Sequence, residues 1–132
     1  TVGDVEQVIR PALARGDWVL CDRFTDATYA YQGGGRGMPD EPIAALARWV
    51  LQGLEPDLTI LLDADPAVTG TRRATRGTSD RFEAEQAAFF ARVRARYLAI
   101  ARAEPHRVRL VDASGTLEAV RDAITRLIDD LL

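Results

Sequence analysis

The sequence predicts an α/β fold built around a mostly parallel sheet. Helical and strand-like patterns alternate along its 132 residues, and three short apolar runs each lead to an aspartate. Such alternation is typical of architectures in which helices cover a buried sheet. The length indicates one domain, and 47% hydrophobic with 28% charged residues is the composition of a folded globular chain.

The first elements are predicted to be a helix, a strand and a second helix. Apolar residues recur at helical spacing over 5–13, and Gly16 supplies a left-handed stop. The run 18–21 is continuously apolar, which predicts a strand buried on both faces of the sheet. Residues 24–32 are expected to be helical, and the glycine-rich stretch 33–37 is expected to be a flexible loop.

The remaining elements continue the alternation without an internal repeat or a linker. The predicted order is a helix at 41–51, a strand at 58–62, a helix from Pro66, a helix from about 83 to 103, a strand at 107–111 and a helix at 116–132. Thr116 is expected to cap the last helix.

Charge and composition exclude several functional classes. The net charge of −3 gives no bulk attraction to nucleic acid or to an anionic membrane. All 17 basic residues are arginines, which excludes chemistry based on a lysine of this chain. Cys21 and His106 each stand alone, so neither a disulfide framework nor a Cys/His zinc site can form, and structural roles are favoured. Without a long apolar segment or a signal pattern, a cytoplasmic protein is expected.

The predicted strand ends carry the residues suited to ligand chemistry. Ligands of open parallel sheets bind outside the carboxyl ends of the strands. These ends offer Asp22 with Arg23, Asp63 followed by the arginine-dense segment 72–81, and the small residues of 112–115. Acids, guanidinium groups and small residues together suit a phosphorylated nucleotide.

The stretch 22–37 resembles the signature of the thymidylate kinases, a family of P-loop nucleoside monophosphate kinases. It runs Asp-Arg-Phe-Thr-Asp-Ala-Thr-Tyr-Ala-Tyr-Gln-Gly-Gly-Gly-Arg-Gly, and similar segments follow at 56–59, 62–63, 80–83, 89–90 and 94–97. The resemblance extends from about Val8 to Leu132. It implies a three-layer P-loop-kinase-type parallel sheet flanked by helices, here missing its first two strands. Residues 1–132 would be the C-terminal part of a single thymidylate kinase domain, with a lid segment at about 72–81.

The resemblance implies an acceptor site for dTMP in the signature stretch. Arg23 would be catalytic and hold the monophosphate, which suits the bidentate fork of a guanidinium. Asp22 would also be catalytic, lying near the magnesium and contacting it indirectly, through water. Thr28 and Gln32 would bond the thymine edge, and Tyr31 would pack under the sugar.

Two further residues, Phe24 and Arg36, complete the substrate-binding set that the resemblance implies. Without the resemblance, Phe24 and Tyr31 would be interpreted as ordinary core aromatics. A related deoxynucleoside kinase with another base preference is a further alternative, against which Thr28, Tyr31 and Gln32 argue.

The resemblance also implies a donor site for ATP. Arg76 would be a catalytic arginine that reaches the transferring phosphate, while Arg72 and Arg73 would bind the nucleotide, Arg72 with the alternative of stacking on adenine. Ala113 and Ser114 would contact the adenine ring. The spacing of the arginines alone favours the simpler interpretation of a solvated helix face. The implied reaction transfers the γ-phosphoryl group of magnesium-bound ATP to dTMP, giving dTDP and ADP.

The 132 residues contain no G-x-x-x-x-G-K-[ST] phosphate loop. We therefore expect them to be inactive alone and loosely packed. The resemblance implies a homodimer as the complete form. The alternative function is a non-catalytic nucleotide-binding or interaction module that retains the dTMP-acceptor signature. Arg81 and Glu83 are expected to pair at the far end of the lid.

Overall fold

The computed structural model describes residues 5–64 and 80–132. Within them, helices flank a small parallel sheet, so the predicted α/β class is confirmed. None of the described helices is long and apolar enough to cross a membrane.

The first described residues form a helix whose hydrogen-bond spacing changes along its length. A π-helical turn, Val5–Ile9, leads into α1, Arg10–Ala14, with Pro11 in its first turn. Gly16 then adopts the predicted left-handed conformation at φ 83°. The Arg10 guanidinium donates to the carbonyl oxygens of Leu51 and Gln52, which lie at the end of a later helix. This contact gives donors to carbonyls that a helix end otherwise leaves unpaired.

The strand predicted at 18–21 is absent from the structure. Trp18 is 65% exposed and Leu20 is fully exposed, and no described strand pairs with this segment. A strand is stable only where a neighbour accepts and donates its backbone hydrogen bonds. The two described strands pair with each other, so the apolar run lacks such a neighbour among the described residues.

The signature stretch forms a helix that is longer than predicted. Helix α2, Thr25–Thr28, continues as a π-helical segment, Tyr29–Gly35. The expectation of a flexible loop from residue 33 is therefore wrong for Gly33 to Gly35, because Gly33 lies close to Asp40, and Gly34 and Gly35 lie close to Arg96 and Phe89 of a later helix. Gly37, at φ 73°, ends the stretch.

Helix α3, Asp40–Leu51, follows as predicted and buries Ile43. Asp40 and Glu41 lie in its first turn and Arg48 in its last turn, which is the favourable orientation relative to the helix dipole. Gln52, in a left-handed conformation, ends it.

The sheet has two parallel strands in the described residues, β1 at Thr59–Asp63 and β2 at Val108–Asp112. Thr59 is opposite Val108 and Asp63 is opposite Asp112. Both of these predicted strands are confirmed, each one residue later along the chain. Val108 and Val111 are buried and contribute to the core.

Two helices complete the described fold. Helix α4, Asp80–Ala103, begins three residues before the predicted start and includes the end of the predicted lid segment. Helix α5, Leu117–Leu131, is capped as predicted, because the Thr116 hydroxyl accepts a 3.1 Å hydrogen bond from the Ala119 amide. The helix predicted to begin at Pro66 and residues 72–79 of the lid lie outside the described residues.

Candidate functional site

The signature stretch opens with a strained backbone conformation. Arg23 has a φ of 59°, a region that residues other than glycine seldom occupy. Its guanidinium lies over the ring of Tyr31, 5.3 Å from the ring centroid, an arrangement typical of a cation–π contact. Strain of this kind is concentrated at functional sites.

Helix α2 and its π-helical continuation, Thr25–Gly35, are together called the signature helix. A cleft of about 330 Å³ lies along it. It brings together several of the residues predicted to bind substrate, and its lining consists of Arg23, Ala27, Thr28, Tyr31, Gln32, Arg36 and Phe89. Two guanidinium groups, a hydroxyl, a carboxamide and aromatic rings therefore surround one space. This combination can bind a phosphate and, beside it, a planar ring with donor and acceptor edges.

Other predicted residues lie outside this lining. Asp22 is exposed, and Phe24 is half-buried just before α2. Ala113 and Ser114 follow β2, at the carboxyl end of the sheet. The three lid arginines, Arg72, Arg73 and Arg76, fall outside the described residues.

Phe89 lines the cleft, although the sequence analysis named 89–90 only as a segment similar to the family and gave Phe89 no role in binding. Its ring centroid lies 6.2 Å from that of Tyr31 and 5.4 Å from that of Phe90. Tyr97 packs edge-on against Tyr31 at 6.3 Å. Burial raises the pKa of Tyr97, and the neighbouring Tyr31 adds to this effect. The rings support Tyr31 and, through it, the guanidinium of Arg23.

A second missed feature ties the signature helix to the sheet. Arg107 donates two hydrogen bonds to the Asp26 carboxylate, at 2.8 and 3.1 Å, and a 3.2 Å bond to the Thr59 hydroxyl. It also donates to Glu104, whose pKa is lowered by this hydrogen bond. The bond to Asp26, with that to Glu104, raises the pKa of Arg107. Side-chain exposures of 14% and 17% for Arg107 and Asp26 mean that water screens this pair only weakly.

The carboxyl end of the sheet is also ordered by polar contacts. Arg94 donates to both oxygens of Asp63, at 2.7 and 3.0 Å. Beside it, Asp112 accepts bonds from the hydroxyl and the amide of Ser114, and these bonds lower the pKa of the Asp112 carboxyl. The Ala113 amide donates to the Asp63 carbonyl at 2.7 Å. The sequence analysis identified this edge but not its pairings.

At the start of α4, Arg81 lies 3.6 Å from Glu85, one helical turn along. The expected pairing of Arg81 with Glu83 stays a prediction. Among residues 5–64 and 80–132, no cluster of three or more Asp, Glu, His or Cys side chains could hold a metal ion.

Comparison with known proteins identifies the family. The sequence matches the thymidylate kinase family over residues 2–124. It is 57% identical over 125 residues to the thymidylate kinase of Thiobacillus denitrificans, covering 95% of this chain and 61% of that protein. It is also 57% identical over 132 residues to the thymidylate kinase of Methylococcus capsulatus, covering 99% of this chain and 63% of that one.

A solved structure shows the same relationship. The crystal structure of thymidylate kinase from Ehrlichia chaffeensis matches with a TM-score of 0.71 and 27% identity, over 96% of this chain and 57% of that one. The chain thus spans about 60% of the length of the relatives it matches. The family match, the curated relatives and the fold agree, and the chain belongs to the thymidylate kinase family.

Proposed function

We propose that this chain forms the acceptor part of an enzyme that phosphorylates dTMP to dTDP with magnesium-bound ATP. The observation that carries the proposal is the cleft, in which Arg23 and Arg36 lie with Thr28, Tyr31 and Gln32. Two guanidinium groups match the charge of a phosphate monoester, and a hydroxyl with a carboxamide matches the edge of thymine. Residues 1–132 are the C-terminal part of one such domain.

Within this proposal, Arg23 holds the phosphate and is the catalytic residue nearest the acceptor. Its strained backbone and its contact with Tyr31 restrict the guanidinium before ligand binds. Tyr31 packs under the sugar, and Phe24 also contacts the substrate. Restriction of this kind lowers the entropic cost of binding.

The donor side of the proposal lies at the carboxyl end of the sheet. Ala113 and Ser114 contact adenine there, and the bonds from Ser114 to Asp112 fix the turn that presents them. Magnesium enters with ATP, and Asp22 contacts a water of its shell. Arg72, Arg73 and Arg76, in the lid at about 72–81, bind the phosphates of ATP, and Arg76 stabilises the transferring group. We expect the complete protein to be cytoplasmic and homodimeric.

Calorimetry on the 132-residue chain tests the acceptor site. We expect dTMP to bind and thymidine, which lacks the phosphate, to bind about tenfold or more weakly, because a charge-assisted contact is lost. Gln32→Ala should weaken dTMP binding by about tenfold, whereas Arg126→Ala, on the exposed side of α5, should leave it unchanged. Equal affinity for dTMP and thymidine, or for dTMP and dGMP, would contradict the proposed substrate.

A second candidate is a non-catalytic nucleotide-binding module. The observation that favours it is the same cleft, because binding of a nucleoside monophosphate needs the residues that line the cleft but no phosphoryl donor. Supplying a P-loop segment in trans separates the two candidates. Formation of dTDP under these conditions supports the kinase, and binding of dTMP without turnover supports the module.

A further inference from the structure

The π-helical segment Tyr29–Gly35 has little intrinsic stability. π-helices are rare, and glycine weakens a helix because it loses more conformational freedom than any other residue. This segment contains Gly33, Gly34 and Gly35, yet it supplies Tyr31 and Gln32 to the cleft. Its order must therefore come from contacts with the rest of the protein.

Helix α4 provides these contacts at very short range. A Cβ atom at Gly34 would lie 2.7 Å from the Cβ of Arg96 and 2.9 Å from the Arg92 carbonyl oxygen. At Gly35 it would lie 2.6 Å from the Phe89 ring. Only glycine allows the backbone to lie this close to α4, and the close approach brings the Gly35 carbonyl within reach of an arginine side chain.

That arginine is Arg92, whose Nε donates a 3.0 Å, partly buried hydrogen bond to the Gly35 carbonyl oxygen. Gly35 is the last residue of the segment, where helical carbonyls lack donors within their own helix. The bond is charge-assisted and so stronger than a bond between neutral groups.

The hydrogen bond from Arg92 acts on a single peptide plane. The Gly35 carbonyl and the Arg36 amide belong to the same planar unit, and the Arg36 amide donates in turn to the Tyr31 carbonyl at 3.0 Å. Two residues later, the Met38 amide donates to the Gln32 carbonyl at 2.8 Å. Arg92 thus holds one side of the peptide unit whose other side is the amide of Arg36, a cleft residue, and this amide bonds to Tyr31, a second cleft residue.

We propose that Arg92 is a positioning residue for the acceptor cleft. By fixing the Gly35–Arg36 peptide it places Arg36 and Tyr31 for ligand, although Arg92 itself is not part of the cleft lining. The inference rests on the proposed function, because it assigns to Arg92 a contribution to the affinity for a nucleoside monophosphate. It adds a residue outside the signature stretch to the determinants of that affinity.

The test compares Arg92→Gln and Arg92→Lys with the wild-type chain. The matched control is Arg102→Gln, the same substitution at an exposed arginine in the last turn of α4. We expect Arg92→Gln to raise the Kd for dTMP about tenfold, as the loss of one charge-assisted bond implies, and Arg102→Gln to change it less than twofold. Arg92→Lys should recover part of the affinity, because it keeps the charge without the fixed Nε donor.

Hydrogen exchange supplies a readout that needs no ligand. Loss of the bond from Arg92 should accelerate exchange of the Arg36 and Met38 amides while those of α5 keep their wild-type rates. Unchanged dTMP affinity in Arg92→Gln, or faster exchange spread evenly over all helices, would overturn the proposal. If the wild-type chain itself fails to bind dTMP, the proposed function fails, and local exchange at Arg36 then shows separately whether Arg92 holds the peptide.

Discussion

Two regions of this chain contain continuous apolar or small residues and pack in opposite ways. In the π-helical segment, Ala30 is fully buried and Gly35 lies directly on α4. In the segment 18–21, Trp18 is 65% exposed and Leu20 is fully exposed. The more hydrophobic segment is therefore the less buried one. Burial depends on whether a surface of matching shape and hydrogen-bonding capacity lies opposite, and only the first region has one among the described residues.

The largest loss of stability should come from breaking the pair between Arg107 and Asp26, which lies at the start of the signature helix. Arg107→Met leaves the Asp26 carboxylate largely buried without its partner, and we expect the free energy of unfolding to fall by about 3 kcal/mol. Arg109→Met, at an exposed position of β2, is the matched control and should change stability by less than about 0.5 kcal/mol. Urea titration followed by circular dichroism measures both, and equal losses in the two variants would show that the pair does not anchor the helix.

A methyl group placed between the π-helical segment and α4 should have the next largest effect. Gly35→Ala puts a Cβ 2.6 Å from the Phe89 ring, so the two helices have to move apart. This displacement should lower the free energy of unfolding by about 2 kcal/mol. At Gly115 the new Cβ would meet only the Ala119 Cβ, at 3.9 Å, so Gly115→Ala should be nearly neutral. Thermal unfolding of the two variants checks the difference, and a neutral Gly35→Ala would mean that the contact is looser than described.

Substitutions in the exposed segment 18–21 should change the stability much less. Leu20 is fully exposed, so Leu20→Ser should change the free energy of unfolding by less than about 0.5 kcal/mol in this chain. Urea denaturation of the variant measures the change. A loss above about 1 kcal/mol would be that of a buried side chain and would remove the contrast between the two regions.

The smallest effect concerns the carboxyl end of the sheet. Ser114 donates two bonds to Asp112, and they hold the pKa of that carboxyl below its ordinary value. A carboxyl whose pKa is lower in the folded state stabilises the protein at pH values above its pKa in the unfolded state. This contribution disappears as the pH falls through the pKa of the folded state. Ser114→Ala removes the hydroxyl bond and should move the Asp112 pKa back toward that of an ordinary aspartate. An NMR titration of Asp112 follows this change, and an unaltered titration would assign the shift to another group.

Several elements could be predicted from the sequence because their signals are local. The periodicity of α3 and α5, the cap at Thr116 and the apolar runs of β1 and β2 depend on residues a few positions apart. The resemblance of 22–37 to a family signature, which the family match and the curated relatives confirm, is likewise a property of consecutive residues.

The errors arose where the conformation depends on a distant neighbour. The run 18–21 has the composition of a strand but no partner strand in the described residues, and Gly34 and Gly35 are helical because α4 lies against them. Phe89 reaches the cleft only because α4 crosses the signature helix, and Arg107 reaches Asp26 across 81 positions of the chain.

Local sequence therefore determined the α/β class, most helix and strand bounds and the residue types available to bind a nucleotide. Tertiary structure alone decided which of these residues share one cleft, which apolar segment is buried and which arginine holds the Gly35 carbonyl. The physical reason is the range of the interactions. Helix periodicity, caps and turns are encoded within a few residues, whereas close packing and charge pairing require groups that the fold alone brings into contact.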